Sequence, residues 1–339
     1  MKRIIIALMP AVLAATLASC GKWNEPESLA IHYPAEGEIN GPLWEQYLAE
    51  LKAYKQSDHK LLIGWFDNSD KNPSSRAGRL VSLPDSVDVV SLLSPDDLTT
   101  RELADFAVLK QKSTRIIYTI DYEAFRRDIE KQMELAADTG GVYEPDWMAL
   151  TDEFMKKNVA LLDKYSYDGA SILYEGHSVL SMSQADVDSL TRQQAIIFDA
   201  MTALKNSHAD KLFMMEGYPQ YVLDKTHLAI YDYIAVKSYN EVSVGDVNFV
   251  AIKAMAQGVP IDRMILTVYP REVGKDDDPR GFFVVDGQQL PAITETAYWM
   301  SLPSVYRKAG LGIMRINDDY YNAELDYKST REAIKIMNR

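Results

Sequence analysis

Short apolar runs alternate with amphipathic stretches along most of the chain beyond about residue 35. Eight of these runs are seven to nine residues long and rich in β-branched and aromatic side chains, as expected of buried strands. They cover residues 60–66, 86–93, 115–121, 169–175, 211–217, 232–240, 263–270 and 311–318. The pattern therefore predicts eight strands separated by connecting segments.

The connecting segments have helical periodicity. In residues 146–165, for example, Trp147, Leu150, Phe154, Val159 and Leu162 fall near one helical face. Eight strands with helical connections predict an α/β protein, a (β/α)8 TIM barrel, in a single domain over residues 36–339. The alternative is a doubly wound open sheet. That fold usually has fewer strands and a glycine-rich phosphate loop after the first one, whereas residues 65–72 contain no glycine.

The first twenty residues resemble a bacterial lipoprotein leader. Lys2 and Arg3 precede an apolar stretch over residues 4–17, and small residues lead to Cys20. We expect a signal peptide over residues 1–19, a lipidated Cys20 and a polar tether over residues 20–35. We therefore expect the protein to lie in the cell envelope, lipid-anchored at the outer membrane surface. An ordinary secretory peptide is the alternative, but Cys20 is the only cysteine in the chain.

Composition and charge limit which classes of ligand the protein can bind. One cysteine permits no disulfide within the chain, so core burial must hold the fold. The net charge of -13 argues against nucleic acid or an anionic lipid surface as ligand, and is compatible with a neutral sugar. The five histidines lack metal-ligand spacing, so we predict neither a metal site nor a cofactor.

Polar and aromatic residues collect where the predicted strands end. In a (β/α)8 barrel those ends line the active face, and tyrosines offer a sugar both an apolar ring and a hydroxyl. The alternative is that such residues merely mark where strands enter solvent-facing loops. The candidate glycan-binding residues are Asp67, Asp121, Glu175, Glu216, Tyr218, Tyr239, Asn240, Tyr269, Asn317, Asp318 and Tyr320.

Three motifs carry a family resemblance. Residues 168–175, DGASILYE, resemble the Asp-Gly-x-Asp-x-Asp-x-Glu strand of glycoside hydrolase family 18, which contains chitinases and endo-β-N-acetylglucosaminidases. Residues 237–240, KSYN, are similar to the family's Met-x-Tyr-Asp, with Asn240 in place of an acid. Residues 312–321, GIMRINDDYY, resemble the closing strand of the endoglycosidase branch without its frequent tryptophan. The resemblance implies a barrel that acts on or binds N-acetylglucosamine-containing glycans.

Two motif positions depart from the family. The resemblance implies that Glu175 protonates the leaving oxygen, while the acid two residues earlier orients the substrate acetamide and stabilises positive charge. Here that acid is Leu173, and Ser171 replaces the other aspartate. Residues two apart on a strand share a face, so Leu173 should point toward the developing charge. Losing one such electrostatic partner typically costs about 10²–10³ in rate.

Three functions remain open from the sequence. We expect a catalytically impaired surface lipoprotein that binds glycans of the N-glycan type or glycoprotein glycans, beside a glycan transporter complex. The alternative is an active endo-β-N-acetylglucosaminidase with Glu175 as general acid and Glu216, Asp318 or Asp319 as the relocated partner. A third possibility is an assembly lipoprotein whose cleft binds nothing.

Overall fold

The computed structural model describes residues 41–272, 274–275 and 278–338. The predicted leader, Cys20 and the tether lie outside these residues. Within the described ranges no helix has both the length and the hydrophobicity that a membrane span requires. The chain divides into two compact units, Met1–Tyr47 and Leu48–Arg339. The described part of the first unit, residues 41–47, contains the ring pair Trp44 and Tyr47, with centroids 5.5 Å apart.

The second unit contains a closed barrel of eight parallel strands. The strands are β1 Leu61–Phe66, β2 Val89–Leu92, β3 Arg115–Asp121, β4 Gly169–Tyr174, β5 Leu212–Gly217, β6 Tyr233–Val236, β7 Met264–Val268 and β10 Lys308–Ile313. Their order around the barrel is β1-β10-β7-β6-β5-β4-β3-β2. An antiparallel hairpin, β8 Phe282–Val285 with β9 Gln288–Pro291, lies between β7 and the next helix. The predicted (β/α)8 barrel is confirmed.

Helices connect the strands. The α-helices are α1 Pro42–Gln56, α2 Thr100–Gln111, α3 Tyr122–Asp138, α4 Trp147–Val159, α5 Leu161–Lys164, α6 Gln184–Ser207, α7 Val244–Ala254, α8 Ala292–Ser301 and α9 Lys328–Met337. Short 3-10 helices cover Arg76–Gly78, Leu80–Ser82, Pro219–Tyr221, Lys225–Ile230, Ile261–Arg263 and Ile316–Tyr320. The amphipathic segment predicted over residues 146–165 is interrupted at Ala160 and forms two helices, α4 and α5.

Several features differ from the strand prediction; for example, only Tyr233–Val236 of the predicted run 232–240 forms a strand. The last barrel strand begins at Lys308 and ends at Ile313, so the second half of the predicted run 311–318 is a 3-10 turn instead. The hairpin was not predicted, although Asp286 and Gly287 between its strands form the dipeptide that favours a tight hairpin turn. Both residues have positive φ, 50° and 78°, as such a turn requires.

Side chains of the barrel strands pack on two sides of the sheet. The inner cluster fills the barrel and consists of Ile63, Trp65, Val89, Ile117, Leu212, Met214, Ala235, Ile265, Ala309 and Met314. The outer cluster joins the sheet to the helices and includes Ala170, Ile172 and Tyr174 of β4. Because side chains alternate along a strand, Ser171 and Leu173 face the interior, as the sequence predicted.

Candidate functional site

An ion pair lies at the barrel mouth, by which we mean the carboxyl ends of the eight strands. Glu175 directly follows β4, and its Oε1 lies 2.5 Å from Nζ of Lys237, which directly follows β6. The two side chains are only 24% and 16% exposed. Backbone hydrogen bonds fix both residues: Glu175 N donates to Glu123 Oε1 at 2.8 Å, and Lys237 N to Gly217 O at 3.1 Å. The pair is therefore held in place from two strands.

Leu173 lies between two carboxyl-bearing residues on the neighbouring strands. Its register partner on β3 is Asp121, and its partner on β5 is Glu216. Adjacent strands lie about 4.8 Å apart, so the three inward-facing side chains form one row across the barrel. The family motif has an aspartate at the centre of this row, whereas here the apolar residue has an acid on each side.

Glu216 is almost fully buried beneath the mouth. Its Oε1 accepts a hydrogen bond from Thr119 Oγ1 at 2.8 Å, and that hydroxyl also pairs with Ser91 Oγ at 2.9 Å. Burial raises the pKa of the carboxyl more than its polar neighbours lower it. Ser171 and Trp65 are two of these neighbours, but Ser171 Oγ and Trp65 Nε1 do not reach hydrogen-bond geometry with any partner. The environment favours the neutral carboxylic acid.

Asp121 serves the fold at the start of a helix. It is the N-cap of α3, and its Oδ1 accepts a hydrogen bond from Ala124 N at 2.7 Å. Burial raises the pKa of its carboxyl, and the charges of Glu123 and Glu175 add to the rise. One oxygen of this acid is therefore committed to the helix terminus, which satisfies an otherwise unpaired backbone donor.

Two tyrosines form an aromatic surface at the mouth. The rings of Tyr239 and Tyr269 meet edge to face, with centroids 5.0 Å apart, and both pack on the inner cluster. Lys237 Nζ lies 5.5 Å from the centroid of Tyr239, and the Arg280 guanidinium lies 4.8 Å from that of Tyr269. Burial raises the pKa of both phenols, so both keep their protons. Tyr218 follows β5, and its pKa is raised by burial and by the charge of Glu175.

A second charged group joins β1 to the segment after β10. Arg315, in the left-handed region at φ 50°, directs Nη1 to Asp67 Oδ2 at 3.5 Å and Nε to Asp318 Oδ2 at 2.9 Å. Asn317 Oδ1 accepts from Asp67 N at 3.1 Å. Burial would raise the pKa of Asp67, but hydrogen bonds from Ser69 and the charge of Arg315 lower it overall. Burial raises the pKa of Asp318 despite Arg315.

The predicted site residues thus fall into separate groups. The structure brings Glu175, Tyr239 and Tyr269 to the barrel mouth, with Glu216 buried beneath it. It does not place Tyr320 among them, because that ring packs against Tyr327, at a centroid distance of 5.5 Å, and against the outer cluster. Asn240 is exposed in a turn that follows β6.

Sequence reasoning missed the cations of the site, Lys237, Arg280 and Arg315. A signal was present for the first of them, since Lys237 stands where the family motif has methionine. Within the ranges that the structure describes, no three histidine, cysteine or acidic side chains are grouped to hold a metal ion.

Comparisons with known proteins agree with this architecture. A family model described as glycoside hydrolase family 18, BT1044-like, matches residues 24–336. No curated protein matches the chain in sequence. The structure of a selenomethionine Glu→Gln variant of BT1044 is similar with a TM-score of 0.64 at 19% identity, covering 89% of this chain and 95% of that one.

A fungal enzyme has a similar structure. The apo form of endo-β-N-acetylglucosaminidase from Cordyceps militaris gives a TM-score of 0.61 at 16% identity, covering 87% of this chain and 96% of that one. A double mutant of that enzyme, in complex with fucosyl-N-acetylglucosamine-Asn, gives 0.60 at 16% identity, with 86% and 95% covered. At these identities the likeness concerns the fold.

Proposed function

The chain belongs to glycoside hydrolase family 18, BT1044-like, and from that premise we propose that it is a surface glycan-binding lipoprotein with impaired catalysis. Its ligand is an N-acetylglucosamine-containing glycan of the N-glycan type. The proposal includes an anchor at Cys20 in the outer membrane and a role beside a glycan transporter.

The Lys237–Glu175 ion pair carries the proposal. A general acid must hold a proton that it can give to the leaving oxygen. Glu175 Oε1 instead lies 2.5 Å from the Lys237 ammonium group, and both side chains are mostly buried. A leaving oxygen would have to displace Lys237 before it could approach that carboxyl oxygen.

Leu173 stands where the reaction needs a second group, a carboxylate. Positive charge that develops on a sugar needs a carboxylate beside it, and a leucine offers neither charge nor hydrogen bond. Loss of one such stabilising group typically lowers the reaction rate by a factor of about 10²–10³. Because the ion pair and Leu173 affect different parts of the reaction, the two changes together support binding without efficient cleavage.

The barrel mouth still offers a surface for a sugar. Tyr239 and Tyr269 present ring faces and edges to the CH groups of a pyranose, while the Glu175 carboxylate and the Lys237 ammonium can exchange hydrogen bonds with its hydroxyls. The fungal neighbour's complex with fucosyl-N-acetylglucosamine-Asn supports this ligand class.

One observation favours an alternative function, an active endo-β-N-acetylglucosaminidase with Glu175 as general acid. Asp121 and Glu216 flank Leu173 in register, so either carboxyl is a candidate for the missing stabiliser. Against this, Glu216 is buried and bonded to Thr119, and Asp121 caps α3.

The deciding experiment compares binding and hydrolysis on one ligand, a glycopeptide that carries the chitobiose core. Calorimetry should show that the wild-type protein binds it, and mass spectrometry should show no released glycan after long incubation at high protein concentration. Product that forms with the wild type and disappears in Glu175→Gln would establish the alternative. Absence of binding would overturn the glycan-binding function itself.

A further inference from the structure

A pocket of about 410 Å³ lies between the β8–β9 hairpin and the segment that follows β10. We call it the hairpin pocket. Its lining includes Arg271, Phe282, Gln289, Asp318, Tyr321 and Asn322. The volume lies in the range of small-ligand sites, about 300–1,000 Å³. The pocket is therefore large enough for a sugar residue.

The side chain of Arg315 links the hairpin pocket to the barrel mouth. Arg315 contacts Asp67, which follows β1 at the mouth, and also Asp318, which lines the pocket. Arg280 lies two residues before the hairpin, and its guanidinium lies over the ring of Tyr269 at the mouth. A ligand longer than one or two sugars can therefore contact both places at once.

The chemistry of the lining suits a carbohydrate. Tyr321 is 53% exposed, and its hydroxyl pairs with Ser75 Oγ at 2.8 Å, which fixes the ring orientation. Phe282 supplies a second ring, with the Arg271 guanidinium 5.7 Å from its centroid. The amide of Gln289 adds a donor and an acceptor that hydroxyl groups can use. Aromatic faces beside amides are what a polyhydroxylated ring requires.

The charges of the lining decide which kind of sugar fits. The charged side chains are Arg271, Glu272, Asp318 and Asp319. Nearby cations are already paired, since Lys275 lies 2.8 Å from Glu272 and Arg315 lies 2.9 Å from Asp318. An acidic sugar would have to compete with these ion pairs for their cations. An uncharged sugar avoids that competition.

We propose that the hairpin pocket is a second sugar subsite, which takes an uncharged residue of the same glycan whose other part lies against Tyr239 and Tyr269. This inference rests on the proposed function and adds a selectivity to it. The protein should prefer glycans long or branched enough to reach both places, and should discriminate against arms that end in an acidic sugar.

The test uses three glycopeptides: the chitobiose core alone, the same core with uncharged arms, and the same arms ending in sialic acid. We expect the wild-type protein to bind the uncharged extended form most tightly. Tyr321→Ala should weaken that binding about tenfold, the effect of one well-packed aromatic contact, and leave the core affinity unchanged. Tyr321→Phe keeps the ring and should retain most of the affinity.

Phe282 also lines the pocket. If a thermal melt shows that Tyr321→Ala does not fold, Phe282→Ala provides the same test. Equal wild-type affinity for the core and the uncharged extended form, unchanged in both alanine variants, would overturn the subsite while leaving the proposed function intact. Tighter binding of the sialylated form would overturn the assigned sugar class. Failure of the wild type to bind any of the three would overturn the proposed function, and this inference with it.

Discussion

Lys237 Nζ lies 2.5 Å from Glu175 Oε1, although the two residues are 62 positions apart in the chain. Glu175 is the last residue of the motif that resembles a family 18 catalytic strand, and Lys237 stands at the methionine position of a second motif. The catalytic acid of the family thus has a cationic partner that its motif does not provide.

Hydrolysis should require changes at two positions. Leu173→Asp supplies the missing carboxylate, and Lys237→Met releases Glu175 from its ion pair. We expect the double variant to cleave a chitobiose-core glycopeptide at least about tenfold faster than the wild type and than either single variant, measured by mass spectrometry. Recovery should be partial, because a new carboxylate beside Asp121 and Glu216 would favour protonation of one member of the group.

The control for that gain is Glu175→Gln in the double-variant background. It should abolish the recovered activity if Glu175 supplies the proton. Activity that persists in the triple variant would show that another group is the acid, and our assignment of Glu175 would be wrong.

Glycan affinity should depend on the ring of Tyr239. Replacing it with alanine removes an aromatic surface that packs on Tyr269 and the inner cluster, and should weaken binding of the core glycopeptide by about 1 kcal/mol, or about fivefold. Tyr239→Phe keeps the ring and should bind nearly as well as the wild type. Calorimetry measures both variants, and equal affinity of Tyr239→Ala and the wild type would place the glycan elsewhere.

Stability should depend on pH through Glu216. Burial raises the pKa of this carboxyl in the folded state, so between its unfolded and folded pKa values the folded protein binds more protons than the unfolded chain. This group therefore makes stability fall as pH rises from about 4.5 to the folded pKa. Glu216→Gln keeps an acceptor for Thr119 and cannot ionise, so its advantage over the wild type in free energy of unfolding should grow across that range.

Denaturant unfolding at a series of pH values measures that difference. A difference between Glu216→Gln and the wild type that is constant with pH would contradict a raised pKa at this site.

Membrane attachment should depend on Cys20. The wild-type protein should fractionate with membranes, because two or more acyl chains on one residue anchor firmly, whereas one chain anchors only marginally. Cys20→Ser should be released or remain unprocessed, and immunoblots of the membrane and soluble fractions distinguish these results. Recovery of the wild type in the soluble fraction would contradict the lipid anchor.

Local patterns in the sequence determined much of the fold. Strands and helices leave a periodicity of two or about 3.6 residues, and eight apolar runs with helical connections were enough to predict the barrel. The same alternation showed that Ser171 and Leu173 share one face of their strand, because side chains two residues apart point to the same side. The Asp286-Gly287 turn also had a local signal, which the strand prediction passed over.

Tertiary structure alone decided which side chains meet. The ion pair of Lys237 with Glu175, the acids beside Leu173 and the hairpin pocket each join residues from different strands or loops. Their distances depend on the stagger of neighbouring strands around the closed barrel, and a one-residue shift would turn each side chain to the other face. Periodicity within one strand contains no information about that stagger, so these contacts between strands could not be predicted from the sequence.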